Sequence, residues 1–187
     1  MKKMLLMAMA LMLLIMPMAC ADETAPQTRE EIILIEGMEE TITTTYYHSD
    51  RGYSIWLDTG ILEVQPEVEG IGFDILRLPG ADGLAGYEVD ILYAPFGLGR
   101  SFEDAAKDLR QSLLERYGNA EQFETDEIFT DLHAYGFFTE EENHYIVSYA
   151  VDQGEGAFYI TICYPADAAE WFGVRVARML GSFAVAQ

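Results

Sequence analysis

The sequence is poor in positive charge. It carries 11 Lys and Arg against 32 Asp and Glu, a formal charge of −21. Lysine occurs only at Lys2, Lys3 and Lys107. A surface that coats nucleic acid needs clustered Lys and Arg, so that class of partner is excluded. Cysteine is equally scarce. Cys20 and Cys163 are the whole supply, which excludes a disulfide-dense scaffold. Catalytic signatures are missing: there is no G-x-S-x-G elbow, no H-E-x-x-H and no phosphate-binding Walker loop. No pattern calls for a cofactor. Long apolar runs are missing too, apart from Met4 to Ala19.

What is present is enough for a core. Half of the 187 residues are hydrophobic and 12% are aromatic. That is too apolar for a disordered acidic tail, and the length suits one domain.

The N-terminus reads as an address. Lys2 and Lys3 precede the uncharged run, Pro17 falls near its end, and charge begins at Asp22. A basic start, a short apolar stretch and a small-residue exit make a secretory signal over residues 1–20. The run is shorter than the roughly 20 residues a spanning helix needs. Two processing routes fit. Pro17-Met18-Ala19-Cys20 resembles a bacterial lipobox, with Cys20 lipidated and left as the new N-terminus. Ala19-Cys20-Ala21 also reads as an ordinary small-x-small cleavage site. The position of Cys20 directly after the apolar run favours lipidation. Either route removes Lys2 and Lys3, leaving nine bases against 32 acids, or −23. Either also leaves Cys163 as the lone free cysteine, on an apolar stretch that reads as a buried strand.

Residues 21–35 read as a polar linker that holds the domain off a membrane, and residues 36–187 as a single domain. Thr41 to His48, the turn Ser49-Asp50-Arg51-Gly52 and Tyr53 to Leu57 predict a hairpin. Further strands are predicted over 61–64, 71–78 and 87–93. Ser101 with Asp104 predicts a capped helix that stops at Gly118, with Phe102, Ala105, Ala106, Leu109, Leu113 and Tyr117 on its apolar face. A meander follows over 122–130, 132–139, 145–151 and 157–164. Tyr145, Val147, Tyr149 and Val151 alternate there with Ser148 and Ala150. Asp167 with Glu170 predicts a final capped helix whose apolar face is Phe172, Val176, Met179, Leu180 and Phe183. Segregated strands and helices argue for α+β: an antiparallel sheet with two main helices packed on it.

The hairpin end Gly52-Tyr53-Ser54-Ile55, the opening Ser101-Phe102-Glu103 and the finish Phe158 to Pro165, followed by a helix ending Gly181-Ser182-Phe183, resemble the PsbP/Mog-type fold. That superfamily includes the extrinsic PsbP protein of photosystem II, a Ran-binding import factor and many small bacterial envelope lipoproteins. The resemblance covers roughly Thr41 to Phe183. It implies an α-β-α sandwich and a binding or assembly role, with no particular ligand and no transferable functional residue.

Several groups invite a chemical reading. His48, His133 and His144 lack the spacing of metal ligands, so no metal site is expected. Glu140-Glu141-Glu142 reads as a solvated hairpin tip, since no D-x-D-x-D-G loop accompanies it. Pro95 to Ser101 contains Gly97 and Gly99, but Phe102 stands where a dinucleotide loop needs its third glycine. Tyr46, Tyr53 and Trp56 cluster on the first hairpin and form a candidate recognition surface. Together these features describe an extracytoplasmic domain held to the outer face of a bacterial membrane by lipid at Cys20 alone. Its expected partner is an envelope protein or a cationic ligand. A small carboxylate- or His-dependent secreted hydrolase and a divalent-cation-binding protein are the alternatives.

Overall fold

The structure is a computed structural model that describes residues 26–66, 72–79 and 86–186. The signal segment and Cys20 lie outside the described residues. The elements run β1 (Thr28–Ile35), β2 (Met38–Ser49), β3 (Tyr53–Asp58), β4 (Glu63–Val64), β5 (Phe73–Arg77), β6 (Glu88–Pro95) and helix α1 (Phe102–Tyr117). Then come β7 (Glu121–Phe123), β8 (Ala134–Glu141), β9 (His144–Asp152), β10 (Gly156–Pro165), α2 (Val174–Leu180) and β11 (Ala184–Val185). Sheet pairing is antiparallel throughout. One sheet has the order β1-β2-β3-β11, and the other β4-β5-β6-β10-β9-β8-β7.

The strand alternation sorts the large sheet into two apolar faces. On β9 and β10, Val147, Tyr149, Val151, Phe158, Ile160 and Ile162 point into one core. That core also receives Tyr53, Ile55 and Leu57 from β3, and Phe172, Val176, Met179 and Leu180 from the C-terminal helical segment. On the other face, Phe137, Ala150 and Ala157 meet Phe102, Ala106 and Leu113 of α1. Small alanines let the helix approach the sheet closely, while the larger aromatics fill the opposite side.

Helix α1 starts and ends where the sequence predicts. Ser101 Oγ accepts from the Asp104 amide at 3.3 Å, and Asp104 Oδ2 accepts from the Ser101 amide at 3.2 Å. Gly118 closes the helix in the left-handed region, φ 81°, and donates to the Leu114 carbonyl. The tip of the β8–β9 hairpin is Glu142-Asn143, both at positive φ, inside the predicted acidic turn.

Four expectations change. Thr28–Ile35, read as linker, forms β1, because Ile33 is 5% exposed and pairs across to β2. The strand predicted over 122–130 ends at Phe123. Thr125 turns the chain instead: its carbonyl accepts from the Ile128 and Phe129 amides, and its hydroxyl donates to the Ala134 carbonyl. Asp167 does not cap the last helix. The segment enters through a 3₁₀ turn at Ala166–Ala168 and a π-helical turn at Ala169–Gly173, with no side-chain cap. The regular helix is therefore only Val174–Leu180. Finally, the sheet is not single, since the first hairpin belongs to a separate four-stranded sheet.

Gly156 opens β10 where the backbone passes close to β6. A Cβ there would lie 2.6 Å from the Ala94 carbonyl oxygen and 2.6 Å from the Tyr93 hydroxyl. Gly156→Ala is expected to destabilise by about 1–3 kcal/mol through this overpacking, read as a lower urea midpoint with unchanged slope.

Candidate functional site

The first hairpin and the strands beside it carry most of the polar geometry of interest. The turn Ser49 to Gly52 is closed by the Gly52 amide donating to the Ser49 carbonyl at 3.1 Å. It brings Ser49, Arg51 and Tyr53 against Asp74 of β5. Ser49 Oγ donates to Asp74 Oδ2 at 2.5 Å, and Tyr53 Oη donates to the same oxygen at 2.7 Å. Arg51 Nε donates to Oδ1 at 2.8 Å. Burial pushes the Asp74 carboxyl upward, but these three donors and the Arg51 charge outweigh it and hold it below the usual carboxylate range. Tyr53 is pushed the other way, by burial first and then by its bond to the ionised Asp74. A cleft of about 250 Å³ opens beside this cluster, lined by Tyr47, Ser49, Arg51, Gln65, Phe73 and Asp74 among others.

This arrangement limits the chemistry of the cleft. A general base works best with a pKa near the operating pH and with a free lone pair facing substrate. Asp74 has a depressed pKa and spends both oxygens on the protein's own donors. It therefore acts as a bolt between the two sheets. No histidine lines the cleft.

A second surface lies on the opposite side of the same hairpin. Tyr46 and Trp56 are register partners with ring centroids 5.3 Å apart. The Arg29 guanidinium sits 4.1 Å from the Trp56 ring centroid. Such a contact contributes about 0.5–1 kcal/mol at an exposed site. Glu31 ties Arg29 to Arg178 of α2, accepting from each Nε at 2.8 Å. Burial opposes ionisation of Glu31, but the two arginines hold its pKa below the ordinary value. Arg29, Trp56, Arg178, Gly181 and Ser182 line a shallow depression of about 290 Å³.

Of the three aromatics expected at a recognition surface, the structure brings Tyr46 and Trp56 together and removes Tyr53. Tyr53 is 0% exposed, stacks on Phe183 at 5.2 Å and belongs to the core. Alternation explains the split: residues 46 and 56 face one side of the small sheet, whereas 47, 53 and 55 face the other. Tyr46 keeps 38% exposure. The sequence reading missed Asp74, whose partners come from a different sheet. It also missed the part played by Arg175, which joins Glu40 of β2 and Asp58 of β3 to the last helix. Burial raises the Asp58 pKa, against the pull of Arg175 and the Gly60 amide.

The histidines stay apart. His133 packs edge-on against Phe102 at 4.8 Å, and His144 lies at the β8–β9 turn beside Gly86. Among the described residues, no three His, Cys, Asp or Glu side chains gather closely enough to hold a metal ion. Cys163 is half-buried on β10, and burial followed by the charges of Glu88 and Asp90 raises its thiol pKa. That is the opposite of the activation a nucleophilic thiolate needs. In the Pro95–Ser101 loop the Arg100 guanidinium is paired with Asp108 of α1. Among the described residues no helix is long and apolar enough to cross a membrane.

No protein-family model matches the sequence, and no curated protein matches it. Among solved structures, the chain is similar to the solution structure of cyanobacterial PsbP (CyanoP) from Synechocystis sp. PCC 6803. The TM-score is 0.53 at 11% identity, over 76% of this chain and 92% of that one. The fold is PsbP-like. At this identity the likeness speaks for architecture: a PsbP-like α+β domain of antiparallel sheets and two helices. The resemblance noted in the aromatic and glycine patterns of the sequence is thus matched at the level of the fold.

Two carboxyls make opposite predictions. The folded state holds Asp74 below its unfolded pKa. Its stabilising contribution is therefore complete above about pH 4 and is lost as the pH falls further. Asp74→Ala is expected to cost about 2–3 kcal/mol at pH 7, because it strands the Tyr53 hydroxyl in the core. It should also remove part of the acid-side decline in melting temperature. Asp90 on β6 behaves inversely. Burial, and then Glu88 beside it, push its pKa up to about 7 against the pull of Arg77, and its Oδ1 is buried without a hydrogen-bond partner among the described residues. A raised carboxyl favours folding while protonated, so its contribution is full below about pH 4 and is lost as the pH rises through 7. Asp90→Asn should raise the melting temperature at pH 8 and change it little at pH 4.

Proposed function

We propose that this chain is an exported, lipid-anchored and non-catalytic acidic domain that binds a cationic protein or other component of the cell envelope. Cys20 carries the lipid and becomes the N-terminus once the signal before it is removed, and the domain lies on the outer face of the membrane. The short segment between Cys20 and β1 spans at most about 25 Å when extended, so the domain stays close to the bilayer. Its layers are read as the α-β-α sandwich of PsbP-like domains, with α1 on one face of the large sheet and the C-terminal helix on the other.

The observation that carries this reading is the use of charge. Three enclosed carboxylates, Asp74, Asp58 and Glu31, are bonded to arginines and hydroxyls of the chain itself. Most other acids among the described residues are exposed, Asp90 of β6 excepted. Such a surface attracts cationic partners and repels anionic bilayers and nucleic acid. The Tyr46–Trp56 pair, topped by Arg29, is the proposed recognition surface on the small sheet.

Cys20→Ala is expected to move the protein from the membrane to the soluble fraction; continued retention would overturn the lipid anchor. Capture from envelope extracts is expected to yield a partner at about 50 mM salt that is lost at about 500 mM, where screening is strong. Absence of any salt-sensitive partner would overturn the binding role.

A further inference from the structure

β1 is the outer strand of the small sheet, and among the described residues nothing pairs with its free edge. A free edge presents a row of backbone donors and acceptors to any extended chain. Proteins usually blunt such edges with charged side chains, above all lysine, or with proline, a bulge or a very short strand. The charges here, Arg29, Glu30 and Glu31, are confined to the first half of the strand, and Ile32–Ile35 is wholly aliphatic. Thr28–Ile35 has eight residues, contains neither Lys nor Pro, and keeps unbroken register with β2 from Thr28↔Thr45 to Ile35↔Met38.

The side chains on one face of this edge are also unusual. Ile32 and Leu34 are 66% and 63% exposed, whereas Ile33 between them is buried on the other face. Their cross-strand neighbours are Thr41 and Glu39, and Glu30 lies two residues before Ile32 on the same face. Glu31 and Glu40, on the opposite face, are paired with Arg178 and Arg175. Glu30 and Glu39 make no ion pair among the described residues. The face is thus two exposed aliphatic side chains flanked by two uncompensated carboxylates.

We propose that the β1 edge binds an extended segment of a partner protein as an added strand, and that this segment alternates apolar residues with Lys or Arg. Backbone hydrogen bonds supply affinity in this mode, and alternate side chains supply specificity. Ile32 and Leu34 take the apolar side chains, and Glu30 and Glu39 the cations. Charge argues against two other occupants. A second processed copy would bring another −23 chain and its own Glu30 and Glu39 to the same line. An anionic bilayer would meet Glu30, Glu36 and Glu39. The proposal rests on the reading that the partner is a cationic envelope protein, and adds a contact at the β1 edge, on the sheet face opposite Tyr46 and Trp56.

The test uses the purified protein with a fluorescein-labelled peptide alternating lysine with valine over eight residues. A glutamate–valine peptide is the control. The lysine peptide is expected to bind saturably, to weaken at least tenfold between about 50 and 500 mM salt, and to protect the Thr28–Ile35 amides from hydrogen exchange. Ile32→Ser with Leu34→Ser, both at exposed positions, should weaken binding at least tenfold. Glu124→Gln with Glu127→Gln, exposed elsewhere, should leave it unchanged. Absent binding, equal binding of the glutamate peptide, protection elsewhere than β1, or indifference to the serine pair would each overturn the edge site. So would a concentration-dependent dimer in sedimentation that the serine pair abolishes, which would assign the edge to a second copy. An envelope partner still captured by the serine variant would overturn the edge site while leaving the binding role intact. If no partner is captured by either form, the binding role itself fails.

Discussion

The fold depends on β10 being buried on both faces. β10 pairs with β6 on one side and β9 on the other, so its backbone is satisfied within the sheet. Phe158, Ile160 and Ile162 then face one core, and Ala157 and Tyr159 face the other. Each large apolar side chain buried this way contributes about 1.5–3 kcal/mol. Two buried faces require two covers. Helix α1 supplies one, and the β2–β3 hairpin with the C-terminal helix supplies the other.

The second cover is assembled from distant parts of the chain, and polar contacts secure it. Arg175 and Arg178 stand off the apolar stripe of the last helix and reach Glu40, Asp58 and Glu31 of the small sheet. Asp74 ties the hairpin turn to the large sheet with three donors. Burying carboxylates costs desolvation, and hydrogen bonds to arginines and hydroxyls offset it. The same contacts engage both oxygens of Asp74 and of Asp58. Most of the enclosed charges are thus answered within the chain; Asp90 Oδ1 and Arg175 Nε are buried exceptions among the described residues.

Much of the fold was legible in the sequence. The α1 cap and stop were readable because Ser101, Asp104 and Gly118 act locally, within one helical turn. The β9 alternation was readable because strand period two is a property of the strand alone. The linker reading of Thr28–Ile35 failed for the converse reason. Its acidic start looks polar in isolation, and only pairing with β2 gives Ile33 a place to bury. Asp167 misled as a cap: the chain enters the helix through a tighter and then a wider turn, and Trp171 and Phe172 of the wider one pack on Tyr87.

The candidate site was legible only in part. The sequence by itself determined the sign of the net charge, the hairpin that bears Tyr46 and Trp56, and the apolar stripes of both helices. Composition and short-range periodicity suffice for these. Only the tertiary structure decided that Tyr53 is core, that Asp74 is its partner from another sheet, and that Ile32 and Leu34 remain outside on an open edge. Those outcomes depend on which face of a strand meets another element. That is set by pairing between residues far apart in sequence, which local pattern does not contain.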